Sequence, residues 1–346
     1  MGRMALMSVL ALATAFSIIG INLRDSGTEA SRAQSNYIRY SAARNIARAA
    51  VNLRLREVDK DTSGKTAIVG RIDGTFYGAT YYTIADTGKT RDTLRIQSVG
   101  MYEGTSYQMR IKLQRFPKPF PEVNAGLGIR AEKAQFTING KAYVDGRNYS
   151  ADGSTLQDSG HKAGVTVMDS TGLADVIQDT AKIYGSPDAK IDTTTANPAD
   201  FINEYRANAD FYYGPGEYPN NITWGSPTNP VIVFCETSDT TQTVHFSGNV
   251  TGWGILVIIG SLKASGNFSF FGLTVVYGAN NKVDITASGN ATFVGGLIMA
   301  GGKESSFTIN GQGNDPASVK YSSAALYNAR FIRKLLAYKV MDWWEE

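Results

Sequence analysis

The stretch from Met4 to Leu23 (MALMSVLALATAFSIIGINL) contains no ionisable side chain. About 20 such residues are what a helix needs to cross the core of a bilayer. Arg24 follows, yet no proline occurs before Pro117, so nothing halts the helix where the apolar run ends. Beyond Leu23, small or apolar residues continue at Ala30, Ala33, Tyr37, Ala43, Ala47, Ala50 and Val51, and Ile46, Leu53 and Leu55 widen the stripe. That three-and-four spacing belongs to a helix that buries one side. Between these positions stand Arg32, Arg39, Arg44, Arg48, Arg54 and Arg56. The pattern predicts a single helix over residues 1–58, roughly 80 Å long at the usual helical rise. A secretory signal peptide is short and ends at a cleavage site, and a simple membrane anchor needs no amphipathic continuation. The continuation favours a helix with a second task outside the membrane.

Residues 74–116 then read as three strands, Thr75–Ile84, Thr93–Tyr102 and Thr105–Phe116, with breaks at Asp86-Thr87-Gly88 and Glu103-Gly104. Tyrosine, β-branched residues and alternation argue for an antiparallel meander. Pro117, Pro119 and Pro121 read as a linker that closes this module. Thirty-six glycines, 18 tyrosines and only 19% charged residues suit a turn-rich β protein better than a helical bundle. The net charge of +3 is too small to argue for nucleic acid as a partner, and the lone Cys235 allows no intramolecular disulfide.

The front of the chain resembles the type IV pilin superfamily, most closely its PilX-like pilus-assembly branch. The resemblance is carried by the apolar run followed by Asn36-Tyr37 and Ala42-Ala43-Arg44-Asn45-Ile46-Ala47, and by the strand Arg95-Ile96-Gln97-Ser98-Val99-Gly100-Met101-Tyr102. It implies an N-terminal helix that leaves the membrane to pack in a fibre core, with its rear half docked on its own β head. Pilins usually carry glutamate five residues into the mature chain. Here that position is Ala5 if Met1 is the mature start, or Met7 if cleavage follows Gly2.

An internal repeat marks the second half. Ser247-Gly248-Asn249, Ser265-Gly266-Asn267 and Ser288-Gly289-Asn290 are each followed by a short apolar segment, and Phe136-Thr137-Ile138-Asn139-Gly140 returns as Phe307-Thr308-Ile309-Asn310-Gly311. Such a period predicts solenoid coils with glycine corners and stacked asparagines. The expected organisation is a helix at 1–58, a β-meander at 59–120, a glycine-rich parallel β-helix or β-solenoid at 121–149 and 229–318, a loop-rich insertion at 150–228, and a C-terminal amphipathic helix with its tail at 319–346. A β-sandwich with glycine-rich turns is the alternative for the second half. Trp343 and Trp344 are expected to pack on the head or on a neighbour.

Chemistry is sparse. Asp59, Asp61 and Ser63 with Gly64 imitate the start of a calcium loop, but Gly70 stands where a bidentate acid is needed. His161 and His245 lie beside no acid or thiol at a motif spacing, and Cys235 follows an apolar run as a core thiol does. Lys282 with Asp284, and Lys303 with Glu304, read as a solvated face. No phosphate loop, dinucleotide fingerprint, nucleophile elbow or Cys-x-x-Cys-His occurs. The expectation is no enzyme, no cofactor and no resident metal. Glycan-acceptor sequons fall at Asn148, Asn221, Asn249, Asn267 and Asn290.

The resulting expectation is an α+β structural subunit of a pilus-like extracellular filament on a prokaryotic cell surface, membrane-anchored before assembly. Met4, Ala5, Leu6, Val9, Leu10, Ala13, Phe16, Ile19, Gly20 and Leu23 would pack helix against helix. Arg24, Arg32, Arg39, Arg44 and Arg48 would pair with acids on neighbouring subunits. Its partners would be copies of itself, other pilin-like subunits and an inner-membrane assembly machinery. Two alternatives stand beside this reading. One is a tip adhesin that stacks glycans on Tyr205, Phe211, Tyr212, Tyr213, Tyr218 and Trp224. The other is an anchored assembly factor that never enters the fibre.

Overall fold

The computed structural model describes residues 2–57, 67–72, 75–85, 93–302, 304–311 and 316–345. It divides into two compact units, Met1–Phe116 with Ala337–Glu346, and Pro117–Leu336. The calcium-loop candidate Asp59, Asp61 and Ser63 lies outside the described residues, as does Lys303.

The first unit opens with helix α1 (Gly2–Glu57), 56 residues without a break. Four strands follow, β1 (Ala67–Ile72), β2 (Thr75–Ala85), β3 (Thr93–Tyr102) and β4 (Thr105–Pro117), each antiparallel to the one before it. Alternation in β3 and β4 sends Leu94, Ile96, Tyr107, Met109, Ile111 and Leu113 to one buried face. A fifth strand, Leu336–Glu345, lies beside β4 and completes the sheet. The C-terminal segment therefore departs from the expected helix. Only Ser323–Arg330 is α-helical, capped by the Ser322 hydroxyl accepting from the Ala325 N–H, and the chain is extended from Leu336 onward. Tyr338, Val340, Trp343 and Trp344 are residues that favour strands, and β4 offers them an edge to pair with.

The second unit leaves β4 and returns to that fifth strand. Its entry and exit are tied by the Lys118 N–H donating to the Leu335 carbonyl at 2.9 Å. Its strands pair in parallel. One sheet runs in the spatial order 189–191, 163–167, 125–130, 292–300, 267–277, 249–259, 231–236 and 211–213. A second sheet runs 243–246, 261–264, 283–288, 304–311 and 133–140. The repeats pair in register, Asn249 with Asn267 and Phe307 with Phe136. The first strands of the unit, 125–130 and 133–140, pair with the late strands 292–300 and 304–311, so the two Phe-Thr-Ile-Asn-Gly copies are direct neighbours. The Phe136 and Phe307 rings stack 5.5 Å apart, and Asn139 Nδ2 donates to Asn310 Oδ1 at 2.8 Å.

Residues 150–228, expected from sequence as a loop-rich insertion, are largely turns and loops, yet they also contribute short strands to the large sheet. Ala163–Val167 and Ala189–Ile191 extend one end of the large sheet, and Phe211–Tyr213 extends the other. The apolar runs after the repeats are buried on both faces. Leu256, Ile258, Phe268, Phe293 and Phe307 face the core between the sheets. Ile255, Val257, Leu273 and Val275 pack with Ile202, Tyr205, Leu326 and Ala329 of two covering helices. That double burial is why these strands read as continuous apolar runs and not as alternation.

Candidate assembly helix and its docking face

Exposure along α1 changes sharply. Every large apolar side chain from Met7 to Leu23 is at least 52% exposed, including Val9, Leu10, Phe16, Ile19 and Leu23. Ala13 and Gly20 are exposed with them, and the side chains of Met4, Ala5 and Leu6 fall outside the described residues. The hydroxyls within this stretch turn back on the helix, Thr14 donating to the Leu10 carbonyl at 3.0 Å and Ser17 to that of Ala13 at 2.8 Å. They ask nothing of solvent, which suits a helix in lipid. Among the described residues this is the one helix long and apolar enough to cross a membrane.

The rear of α1 is docked. Ala43, Ile46, Ala47, Ala50, Val51 and Arg54 are buried, one stripe at three-and-four spacing. Ala30, Ala33 and Tyr37, which the sequence places on the same stripe, are exposed. The seam is made by β3. An added Cβ on Gly100 would lie 2.0 Å from the Ala43 carbonyl oxygen and 2.6 Å from the Ala47 nitrogen. Two positions earlier, the buried Ser98 hydroxyl donates to the Ala47 carbonyl at 3.0 Å. Glycine and serine on the strand, facing alanines on the helix, bring the two backbones into near contact.

Glu345, from the fifth strand, clasps the helix. Its Oε2 accepts from Arg44 Nε at 2.9 Å and from the Tyr107 hydroxyl at 2.8 Å. Its Oε1 accepts from Arg48 Nη2 at 2.9 Å and from Trp343 Nε1 at 2.8 Å. Arg44 and Arg48 stand one helical turn apart, and Tyr40 meets Tyr107 edge-on at 5.1 Å. The Arg48 hydrogen bond, with those of Tyr107, Trp343 and Arg44, holds the Glu345 carboxyl down to about 2 against the opposing effect of burial. Burial, then Glu345, pushes Tyr107 up to about 12.

The arginines thus part company. Arg44 and Arg48 pair with Glu345, and Arg39 pairs with Glu103 at 2.9 Å. All three are held within their own unit instead of waiting for a neighbour, while Arg24 and Arg32 are exposed. Nothing near Arg44 in sequence announces an acid 301 residues away. Ser98, Gly100, Tyr107 and Glu345 are the docking residues that sequence reasoning did not assign.

Replacing Glu345 by alanine should lower the stability of the first unit by about 1–3 kcal/mol, because the two guanidiniums and Tyr107 lose a common charged acceptor. Acid should do the same to the wild type. The carboxyl's folded value lies below the ordinary 4.5, so its contribution is present above about pH 4.5 and is lost as pH falls toward 2. Melting curves of wild type and Glu345→Gln should converge over that range. A constant gap would show that ionised Glu345 contributes nothing.

The other candidates are placed as follows. Trp224 and Tyr205 are buried while Phe211 and Tyr212 are exposed, so the six aromatics do not form one continuous exposed platform. Trp224 packs on Phe246 at 5.5 Å, donates to the Tyr213 hydroxyl at 3.0 Å, and with Tyr218 closes the end of the stack. Tyr212 is exposed, its hydroxyl donating to Glu236. Asn148 is 9% exposed, with Nδ2 donating to the Ser159 carbonyl and Oδ1 accepting from Ser323, so the folded chain offers no glycan acceptor there. Asn221, Asn249, Asn267 and Asn290 form an exposed column. The Asn249 N–H donates to Asn221 Oδ1 at 3.0 Å, Asn267 Nδ2 to Asn249 Oδ1 at 2.7 Å, and Asn290 Nδ2 to Asn267 Oδ1 at 3.0 Å.

Cys235 is fully buried and its thiol is pushed up by burial, the state of an inert core thiol. His161 accepts from the Asn148 N–H, and His245 meets the Ser265 hydroxyl. Lys282 bridges Asp284 and Glu304. Trp343 and Trp344, expected to pack on the head or on a neighbour, lie on the fifth strand and remain 42% and 46% exposed.

No protein-family model matches the sequence, and no curated protein matches it. Among solved structures the chain is similar to the competence-associated pilin ComZ from Thermus thermophilus, at 10% identity and a TM-score of 0.26, over 89% of this chain and 97% of that one. A likeness that slight transfers no role.

Proposed function

We propose that this chain is a pilin-like structural subunit of an extracellular filament. The carrying observation is the change along α1, from an apolar front half that faces outward to a rear half that is buried on its own sheet. The front half sits in the membrane before assembly and afterwards exchanges lipid for the helices of neighbouring subunits. Small residues such as Ala11, Ala13, Ala15 and Gly20 allow close approach. The clasp at Glu345 keeps the rear half aligned while the front half changes partners, and Arg24 and Arg32 are the cations left to meet acids on neighbours. The parallel, in-register coils of the second unit read as a short β-solenoid displayed on the fibre surface. The role is architectural and not catalytic.

Phe16→Lys supplies the test. A lysine at mid-membrane costs about 3 kcal/mol on insertion scales and has no place in an apolar fibre core. The wild-type chain is expected in membranes and in sheared extracellular fibres, and the variant in neither. Electron microscopy with mass spectrometry of both fractions reads the outcome. Wild-type chain confined to the membrane would overturn the filament role and leave an anchored assembly factor.

A further inference from the structure

On the outer side of the second unit, the coil positions of Thr251, Ser269 and Thr292 form an ordinary polar row. Two residues further on, the row becomes Trp253, Phe271 and Val294. Val294 is covered by the turn at Gly153, whose Cα side lies against its methyl groups. Trp253 and Phe271 are left half-buried, their rings 5.4 Å apart and 14° from parallel. Other stacked aromatics of the coils, such as Phe246 on Phe268, are fully interior. The two rings line a recess of about 170 Å³, with Pro227 and Pro230 on one side, and Asp152 and Asn328 at its polar edge.

We propose that this recess binds one neutral pyranose unit of a surface polysaccharide. Its volume is well below the roughly 300–1,000 Å³ of sites for drug-sized ligands, which fits a single ring. Aromatic rings offer apolar faces and edges to the C–H face of a pyranose. The polar edge supplies what the hydroxyls need. Asp152 Oδ1 already accepts from Ser150 and from the Ser154 N–H and hydroxyl, whereas Oδ2 accepts only from the Ser154 hydroxyl, at 2.9 Å. Those bonds, Ser150's first, hold the carboxyl down to about 2, so Asp152 is an acceptor at any physiological pH. The Asn328 amide both donates and accepts. A cation would use the carboxylate and leave the amide's donors unmatched, so a polyhydroxylated ring suits the pair better. The site lies wholly within the second unit and does not depend on filament assembly.

The test uses the full chain in a polyoxyethylene detergent, whose headgroup carries neither sugar nor ammonium. Saturation-transfer NMR follows binding of the methyl pyranosides of glucose, galactose, mannose and N-acetylglucosamine, and separately of choline. At least one pyranoside is expected to bind in the millimolar range. Trp253→Ala should weaken it by about tenfold or more, Asp152→Asn should weaken it less, and Tyr212→Ala should leave it unchanged. Should Trp253→Ala fail to fold by circular dichroism, Asp152→Asn and Asn328→Ala decide, since both lie at the recess edge. Absence of binding by all four sugars overturns the proposal, as does binding that survives these substitutions, or binding of choline alone.

Discussion

Gly100→Val is expected to unfold the first unit. The new Cβ would lie 2.0 Å from the Ala43 carbonyl oxygen and 2.6 Å from the Ala47 nitrogen, both helix backbone that cannot turn aside. The helix would have to lift off β3, breaking the Ser98 bond to Ala47 and exposing Leu94, Ile96, Met109 and Ile111. Each such side chain is worth about 1.5–3 kcal/mol when buried, so losing several exceeds the stability of an ordinary domain. Gly27→Ala is the matched control, because an added Cβ there meets nothing within 4 Å and alanine favours a helix. Hydrogen exchange with mass spectrometry, read peptide by peptide, should show β3 and β4 unprotected in Gly100→Val and unchanged in Gly27→Ala. Normal protection of β3 in the valine variant would refute the close seam.

The second large effect is expected at Gly272. Gly254, Gly272 and Gly295 pair in register on three neighbouring strands, with φ of 125°, 134° and 125°. A Cβ on Gly272 would lie 2.0 Å from the Gly254 carbonyl oxygen, and that backbone conformation is one that L residues avoid. Clash and strain act together, and a loss above about 4 kcal/mol belongs to this class of change. Gly272→Ala should therefore disrupt pairing of the strands Asn249–Ile259, Asn267–Tyr277 and Thr292–Ala300 and lower the second unit's melting temperature by many degrees. Gly216→Ala shares the positive φ without the clash, at 78° with nothing within 4 Å, and should cost only about 1 kcal/mol. Equal effects at the two positions would mean that strain alone, and not the close approach of neighbouring strands, sets the requirement.

What was legible in the sequence follows from the range of the interactions. The long helix and the strands 93–102 and 105–117 rest on local periodicity, and they stand close to where the pattern put them. The repeats were readable because Ser-Gly-Asn recurs at 247–249, 265–267 and 288–290 ahead of three strands that pair in register. The short strands at 163–167, 189–191 and 211–213 were not, because each is held by an already formed neighbour and needs little propensity of its own. The strand at 336–345 was misread for the same reason, its partner being β4, more than two hundred residues earlier. At the candidate site the apolar half of α1 was evident and the clasp was not. An arginine's spacing shows which side of a helix it occupies, but not whether its acid comes from the same chain. Aromatic clusters mislead in a similar way. Trp224 and Tyr213 look like a binding surface in one dimension and are the plug at the end of a stack in three.

The position of Glu345 has a consequence for biosynthesis. Arg44 and Arg48 emerge from the ribosome early, together with the apolar front half of α1, and wait 301 and 297 residues for their acid. Synthesis is vectorial and domains mature as units. The second unit can therefore finish folding while the first still lacks its fifth strand and its carboxylate. A chain cut short anywhere in between would own all of α1 yet could not close the sheet on its rear half, leaving β4 as a bare edge for proteases and chaperones to recognise. Closing the clasp is thus a late event, so that the rear of α1 becomes firm on its sheet only after the strand Leu336–Glu345 has been made.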